Sequence, residues 1–69
     1  MIKIDPTRAQ ALKADQARAK RNALLAASDW TQVIDAPVDQ AAWATYRQAL
    51  RDITTQAGFP TTIDWPVEP

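Results

Sequence analysis

The chain has 69 residues, carries no formal net charge at pH 7, and contains neither Cys nor His. This length allows one small domain, residues 1–69, and almost half of its hydrophobic residues are Ala, which buries little area. A monomer of this kind is marginally stable, so we expect a partner or a second copy of the chain to add stability. The composition excludes disulfides and thiolate zinc sites, and no apolar run reaches the roughly 18 residues of a membrane span.

Residues 6–27 are predicted to form the first helix. Pro6 suits the first helical position, where a missing N–H leaves no partner unsatisfied, and the following residues are mainly strong helix formers. Lys20 and Arg21 are expected to complement the negative end of the helix dipole. Residues 1–5, before this helix, are predicted to be extended.

The first half of this helix is poor in large apolar side chains, because Leu12 is the only one between Pro6 and Asn22. Charge is also uneven along the chain, at +4 over residues 1–27 and −4 over residues 28–69. Such a helix is either a solvated extension or an arm that docks on a partner, and both interpretations stay open. Nucleic-acid binding is disfavoured, because the basic half has no aromatic ring on which a base could stack.

The second helix is predicted over residues 38–56. The connection before it, residues 28–37, is short enough for an antiparallel two-helix hairpin. Trp30 is expected to fold back onto the junction of the helices, and Gly58 to end the second helix in a left-handed conformation. Helical spacing places four large apolar residues on one face of this helix: Trp43, Tyr46, Leu50 and Ile53.

Residues 58–69 are predicted to form an extended tail. Pro66 and Pro69 cannot continue a helix, and alternation places Ile63 and Trp65 on one side of the segment. We expect the tail to lie across the hairpin and to complete its core. The predicted fold is therefore all-α, an antiparallel two-helix hairpin with an extended, Pro- and Trp-containing C-terminal tail packed across it.

Two groups of residues follow from this fold. The predicted core comprises Leu24, Leu25, Trp43, Tyr46, Leu50, Ile53 and Phe59. The candidates for partner contact are Leu12, Arg18, Arg21, Trp30, Arg47, Arg51 and Trp65. The two arginines of the second helix have two interpretations: an exposed pair beside aromatic rings, or side chains that stack on those rings and pair with Asp52, Asp35 or Asp64. The second is favoured.

Residues suited to catalysis are scarce. Ser28 is the only Ser, and there is no His or Cys that could activate it. The acidic residues stand mainly at predicted caps and turns, and no Gly-rich loop could hold a phosphate. We therefore expect no enzyme, no cofactor, no metal site and no small-molecule substrate.

A series of spaced motifs resembles the bacteriophage tail assembly chaperone family over roughly residues 18–69. The motifs are RNALLAASDWTQ at residues 21–32, DAP at 35–37, W-x-x-YRQ-x-LRD at 43–52, GFP at 58–60 and WP-x-x-P at 65–69. The second half is also similar to the C-terminal end of tail fibre assembly proteins. The sequence departs from the family between Pro37 and Trp43, where the start of the second helix is short.

The resemblance implies a non-enzymatic chaperone that binds a tail or tail-fibre protein, in the cytoplasm of the infected bacterial host. It also allows a component that stays at the tip of the virion tail. A small phage-encoded inhibitor or regulator of a host protein is the alternative from another class. Nucleic acid and membranes are not expected partners, whereas a homo-oligomer is an open alternative.

Overall fold

A computed structural model describes residues 6–69, so the predicted extended segment 1–5 lies outside the described residues. The described chain is all-helical and without strands, as predicted, with α1 at Pro6–Ser28 and α2 at Gln40–Arg51. Each helix runs into a 3-10 turn, Asp29–Gln32 after α1 and Asp52–Thr55 after α2. The two helices contact each other and form a helical hairpin.

The two helices differ in length. At a rise of about 1.5 Å per residue, α1 is about 34 Å long and α2 about 18 Å. The molecule is correspondingly elongated, with extents of 56 × 20 × 13 Å. Most side chains between residues 7 and 16 are exposed, whereas Ala17 is buried. The rest of the domain therefore packs on one face of the second part of α1, and the first part is open to solvent.

The end of α1 differs from the prediction. The helix continues to Ser28, one residue beyond the predicted end, and its last turn contains no basic residue. Lys20 and Arg21 therefore stand about two turns before its end, too far to act on the dipole, whose effect is confined to the last turn. That part of the prediction is wrong.

The start of α2 also differs from the predicted residue 38. The helix begins at Gln40 because Asp39 is its N-cap, and the Asp39 carboxylate accepts a hydrogen bond from the Ala42 N–H at 3.1 Å. This bond satisfies one of the N–H groups that a helix leaves without a partner in its first turn. Pro37 consequently stays in the loop.

The predicted end of the second helix, residue 56, is wrong for the α-helix proper. The chain tightens after Arg51 into the 3-10 turn Asp52–Thr55. The Thr55 hydroxyl donates a hydrogen bond to the Asp52 carbonyl at 2.7 Å. Thr residues compete in this way for backbone acceptors, which favours a turn over continued α-helix.

The core lies between α1 and the second half of α2. Leu50 and Ile53 are fully buried, and Tyr46 and Ala17 are nearly so. The remaining residues of the predicted core are half-buried: Leu24, Leu25, Trp43 and Phe59. Tyr46 and Leu50 of α2 and Ile53 of the following 3-10 turn are thus the large apolar side chains most completely removed from water.

The segment after α2 is fixed by Gln56. Its side-chain amide donates to the Asp64 carbonyl and accepts from the Asp64 N–H, both at 2.8 Å. Two aromatic rings of this segment lie beside cations of α1. The Lys20 ammonium lies 4.3 Å from the centre of the Trp65 ring, and the Arg18 guanidinium lies 5.8 Å from that of Phe59.

Gly58 does not adopt the left-handed conformation that the sequence suggested, since no residue of the described chain has a glycine-type positive φ. Its role is instead to allow a close approach. A Cβ at this position would lie 2.7 Å from the Thr62 carbonyl oxygen, and the Thr62 N–H donates to the Gly58 carbonyl at 2.8 Å. The missing side chain lets the chain close a tight turn around the cis Phe59–Pro60 peptide.

Replacing Gly58 by Ala should therefore lower the free energy of unfolding by about 1–2 kcal/mol, because a backbone atom must move to admit the methyl group. Urea unfolding followed by Trp fluorescence measures the change. Ala57→Ser, at the exposed neighbouring residue, is the matched control and should stay within about 0.5 kcal/mol of the wild type. A Gly58→Ala protein as stable as the wild type would contradict the close approach.

Candidate partner-binding surfaces

Arg47, one of the candidates for partner contact, is buried within the domain. Its Nη1 donates to the Leu25 carbonyl and to the Ser28 hydroxyl, and its Nη2 donates to Asp29 Oδ1, all at 2.7 Å. The ion pair with Asp29 replaces the predicted pairs with other carboxylates. Because its guanidinium is committed to the end of α1, Arg47 is unsuited to partner contact.

The hydrogen bonds around Arg47 complete the C-terminus of α1. The last four carbonyls of an α-helix have no partner within the helix. Arg47 occupies that of Leu25, and the buried Thr31 hydroxyl donates to that of Ser28 at 2.6 Å. The cation that complements this end of the α1 dipole therefore comes from α2. Nothing in the sequence indicated that Ser28 and Thr31 are buried, because short polar side chains in a connection are typical of a turn whether it is buried or exposed.

The other arginine candidates remain at the surface. Arg51 is exposed, one helical turn after Arg47. Arg18 is exposed and pairs with Asp15 at 3.5 Å in addition to its position over the Phe59 ring. Arg21 is half-buried and donates to the neighbouring Asn22 side chain at 3.1 and 3.2 Å. These contacts are solvent-accessible and leave all three able to meet a partner.

An aromatic cluster joins the first 3-10 turn to α2. The Trp30 and Trp43 rings lie 6.3 Å apart, and Trp43 meets Tyr46 edge-to-face at 5.6 Å. Burial raises the pKa of the Tyr46 phenol, and the Glu68 carboxylate raises it further. Trp30 folds back onto Trp43, yet half of its surface (51%) stays exposed. Trp65, in contrast, is half-buried beside Lys20.

The most exposed apolar side chains of the loop follow Trp30 closely in the chain. Val33 is 59% exposed and Ile34 is 89% exposed. We call Trp30, Val33 and Ile34 the loop patch. Val33 and Ile34 were not among the residues predicted to contact a partner. The available signal was two adjacent large apolar residues inside an otherwise polar connection, with no spacing that would place them on a helical face.

Leu12 is the remaining candidate, and it lies in the open first part of α1 with 58% of its surface exposed. Its neighbours along the helix are mainly Ala and charged residues. A solitary exposed Leu is common on soluble proteins and does not by itself indicate binding. The loop patch is therefore the larger group of exposed apolar side chains.

No group of three acidic residues that could hold a metal ion occurs within residues 6–69. Over the same range, neither helix combines the length and the apolar character that crossing a bilayer requires.

Comparison with known proteins gives one match. The family model described as phage tail assembly chaperone protein matches residues 14–69, which covers α2, the loop patch, the C-terminal segment and α1 without its first turns. No curated protein and no solved structure shows significant similarity. Because the family model covers most of the chain, the chain belongs to the phage tail assembly chaperone family.

Proposed function

We propose that the chain is a non-enzymatic chaperone that binds a structural protein of the phage tail or tail fibre while the tail is assembled. Family membership supports the general role. The observation that carries the binding step is the loop patch, which exposes large apolar side chains although the domain has few of them to bury. Neighbouring exposed apolar side chains mark interaction surfaces more often than isolated ones do.

The proposed fold is an antiparallel hairpin crossed by the tail. It is supported by the contact of Arg47 in α2 with Leu25 near the end of α1, and by the contact of Trp65 in the tail with Lys20. In this arrangement the tail closes one side of the hairpin and the loop patch lies at the turn between the helices. The chaperone would act in the cytoplasm of the infected cell. It would either dissociate from the assembled phage tail or remain bound to it.

Among the sequence candidates we retain Leu12, Arg18, Arg21, Trp30, Arg51 and Trp65 as proposed partner contacts. Trp30 is the strongest of them, because a partly exposed Trp supported by another ring is typical of binding hot spots. Arg18 and Trp65 also hold the tail against α1, so their contribution to binding is proposed to be secondary.

Co-expression tests the proposal. The chain, carrying an affinity tag, is produced together with each tail protein encoded beside it in the phage genome. We expect one of these proteins to co-purify with the chain and to become more soluble in its presence. Leu50→Ala, which removes a fully buried side chain and so destabilises the domain, is the control: it shows whether co-purification requires the folded domain. Failure of every tail protein to co-purify or gain solubility would contradict the proposed function.

A further inference from the structure

We infer that the loop patch is the docking surface for an apolar, basic segment of the tail protein. This inference rests on the proposed function and specifies the surface and the chemistry of the partner. The patch is defined by Trp30 in the 3-10 turn Asp29–Gln32 and by Val33 and Ile34 shortly after it, all between α1 and α2 and all exposed. In the first part of α1, residues 7–16, Leu12 is the only large apolar side chain that is exposed.

The backbone that carries the patch is held by several hydrogen bonds. The Val33 N–H donates to the Trp30 carbonyl at 3.3 Å, and the Ala36 N–H donates to the Val33 carbonyl at 3.0 Å. Side chains connect the loop to the start of α2, since Gln32 donates to the Gln40 carbonyl and the Gln40 amide donates to the Val33 carbonyl. A surface that is ordered before binding loses little conformational entropy when a partner docks.

Charge around the patch identifies the kind of partner. Residues 29–40 contain three Asp and no Lys or Arg. Asp29 pairs with Arg47 and Asp39 caps α2, while Asp35 follows Ile34 directly; the side chains of Asp35 and Asp39 are both exposed. An apolar surface with an acidic rim favours an apolar segment flanked by Lys or Arg, and it repels nucleic-acid phosphates and anionic lipid.

A second copy of the chain is the competing occupant, because the first part of α1 is basic. Within residues 7–16 it carries Arg8 and Lys13 against Asp15, a net charge of +1, and Leu12 is its only large apolar side chain. One Leu cannot cover a patch that includes a half-exposed Trp and two exposed β-branched side chains. Charge complementarity alone would permit this pairing, whereas the apolar surface favours a different protein.

The test compares variants for binding to the tail protein that co-purifies with the wild-type chain. Ile34→Ser removes the most exposed side chain of the patch, and Val67→Ser makes a similar change at an equally exposed residue of the tail (88%). We expect Ile34→Ser to weaken binding about tenfold or more, because the buried apolar contact is lost, and Val67→Ser to bind like the wild type. Equal affinities for the two variants would overturn the inference while leaving the proposed function in place.

Charge reversal provides the second arm. Asp35→Lys adjoins the patch, and Asp64→Lys makes the same change at an exposed residue of the tail. We expect only Asp35→Lys to weaken binding and to reduce its sensitivity to salt. If both reversals had the same effect, net charge rather than the acidic rim would control binding, and the stated partner chemistry would be wrong.

A photo-cross-linking residue at position 34 then identifies the occupant within the purified complex, with position 67 as the control. We expect position 34 to link to a tail-protein segment that combines large apolar residues with Lys or Arg. A link to a second copy of the chain, or to an acidic segment, would overturn the inference. If the wild-type chain binds no tail protein at all, the proposed function itself fails.

Discussion

Arg47→Ala should lower the free energy of unfolding by about 3 kcal/mol, because it removes hydrogen bonds from a buried, charged donor to the end of α1. Domains of this length have a total stability of roughly 3–10 kcal/mol, so the loss is a large share of it. The substitution leaves the Leu25 carbonyl and the Ser28 hydroxyl without this partner. Chemical denaturation followed by Trp fluorescence measures the effect.

Arg51→Ala is the matched control, since Arg51 lies one turn later on the same helix and is exposed. Its free energy of unfolding should stay within about 0.5 kcal/mol of the wild-type value. Arg47→Lys should lose an intermediate amount, because an ammonium cannot reproduce the separate bonds that Nη1 and Nη2 make. Equal stability of the two Arg→Ala variants would show that the buried contact contributes little.

Leu50→Ala should lower the free energy of unfolding by about 2–5 kcal/mol. Leu50 is fully buried, and its removal opens a cavity between α1 and α2 that the surrounding helices can fill only in part. In a domain of this size, such a loss should lower Tm by more than about 10 °C. Thermal unfolding followed by circular dichroism measures it.

Leu12→Ala makes the same chemical change on the exposed part of α1 and serves as the control. Since Ala favours helix at least as strongly as Leu, its effect on stability should be within about 0.5 kcal/mol. A large destabilisation by Leu12→Ala would mean that Leu12 is covered in solution, for example by a second copy of the chain. Sedimentation of both variants distinguishes that case.

The parts of the fold that could be predicted were those governed by local pattern. The spacing of Trp43, Tyr46, Leu50 and Ile53 indicated one apolar face, and the last three are buried while Trp43 is half-buried. The low apolar content around Leu12 indicated that this part of α1 has little to bury, and Leu12 is exposed. In both cases side-chain type and helical period were sufficient information.

The parts that could not be predicted depend on contacts between distant residues. Arg47 and Leu25 are separated by 22 positions, so nothing near Arg47 in the sequence indicates which acceptor it meets. The sequence suggested that Gly58 is needed for a left-handed backbone conformation. It is needed instead because Thr62, across the turn, leaves no room for a side chain. The same limit applied to the partner-contact candidates. An Arg beside aromatic residues is typical of a binding hot spot, and the sequence does not tell whether that Arg is exposed or, like Arg47, buried.

The rest of the domain packs only on the second part of α1, which divides one continuous helix into two parts of different local stability. Beyond Ala17 its turns are held by the core and by Arg47, so they open only when much of the domain unfolds. Before that residue most side chains face water, and the turns depend mainly on their own hydrogen bonds, which are marginal for so short a helical segment. The first part of α1 can therefore unwind and reform while the hairpin and its loop patch remain folded.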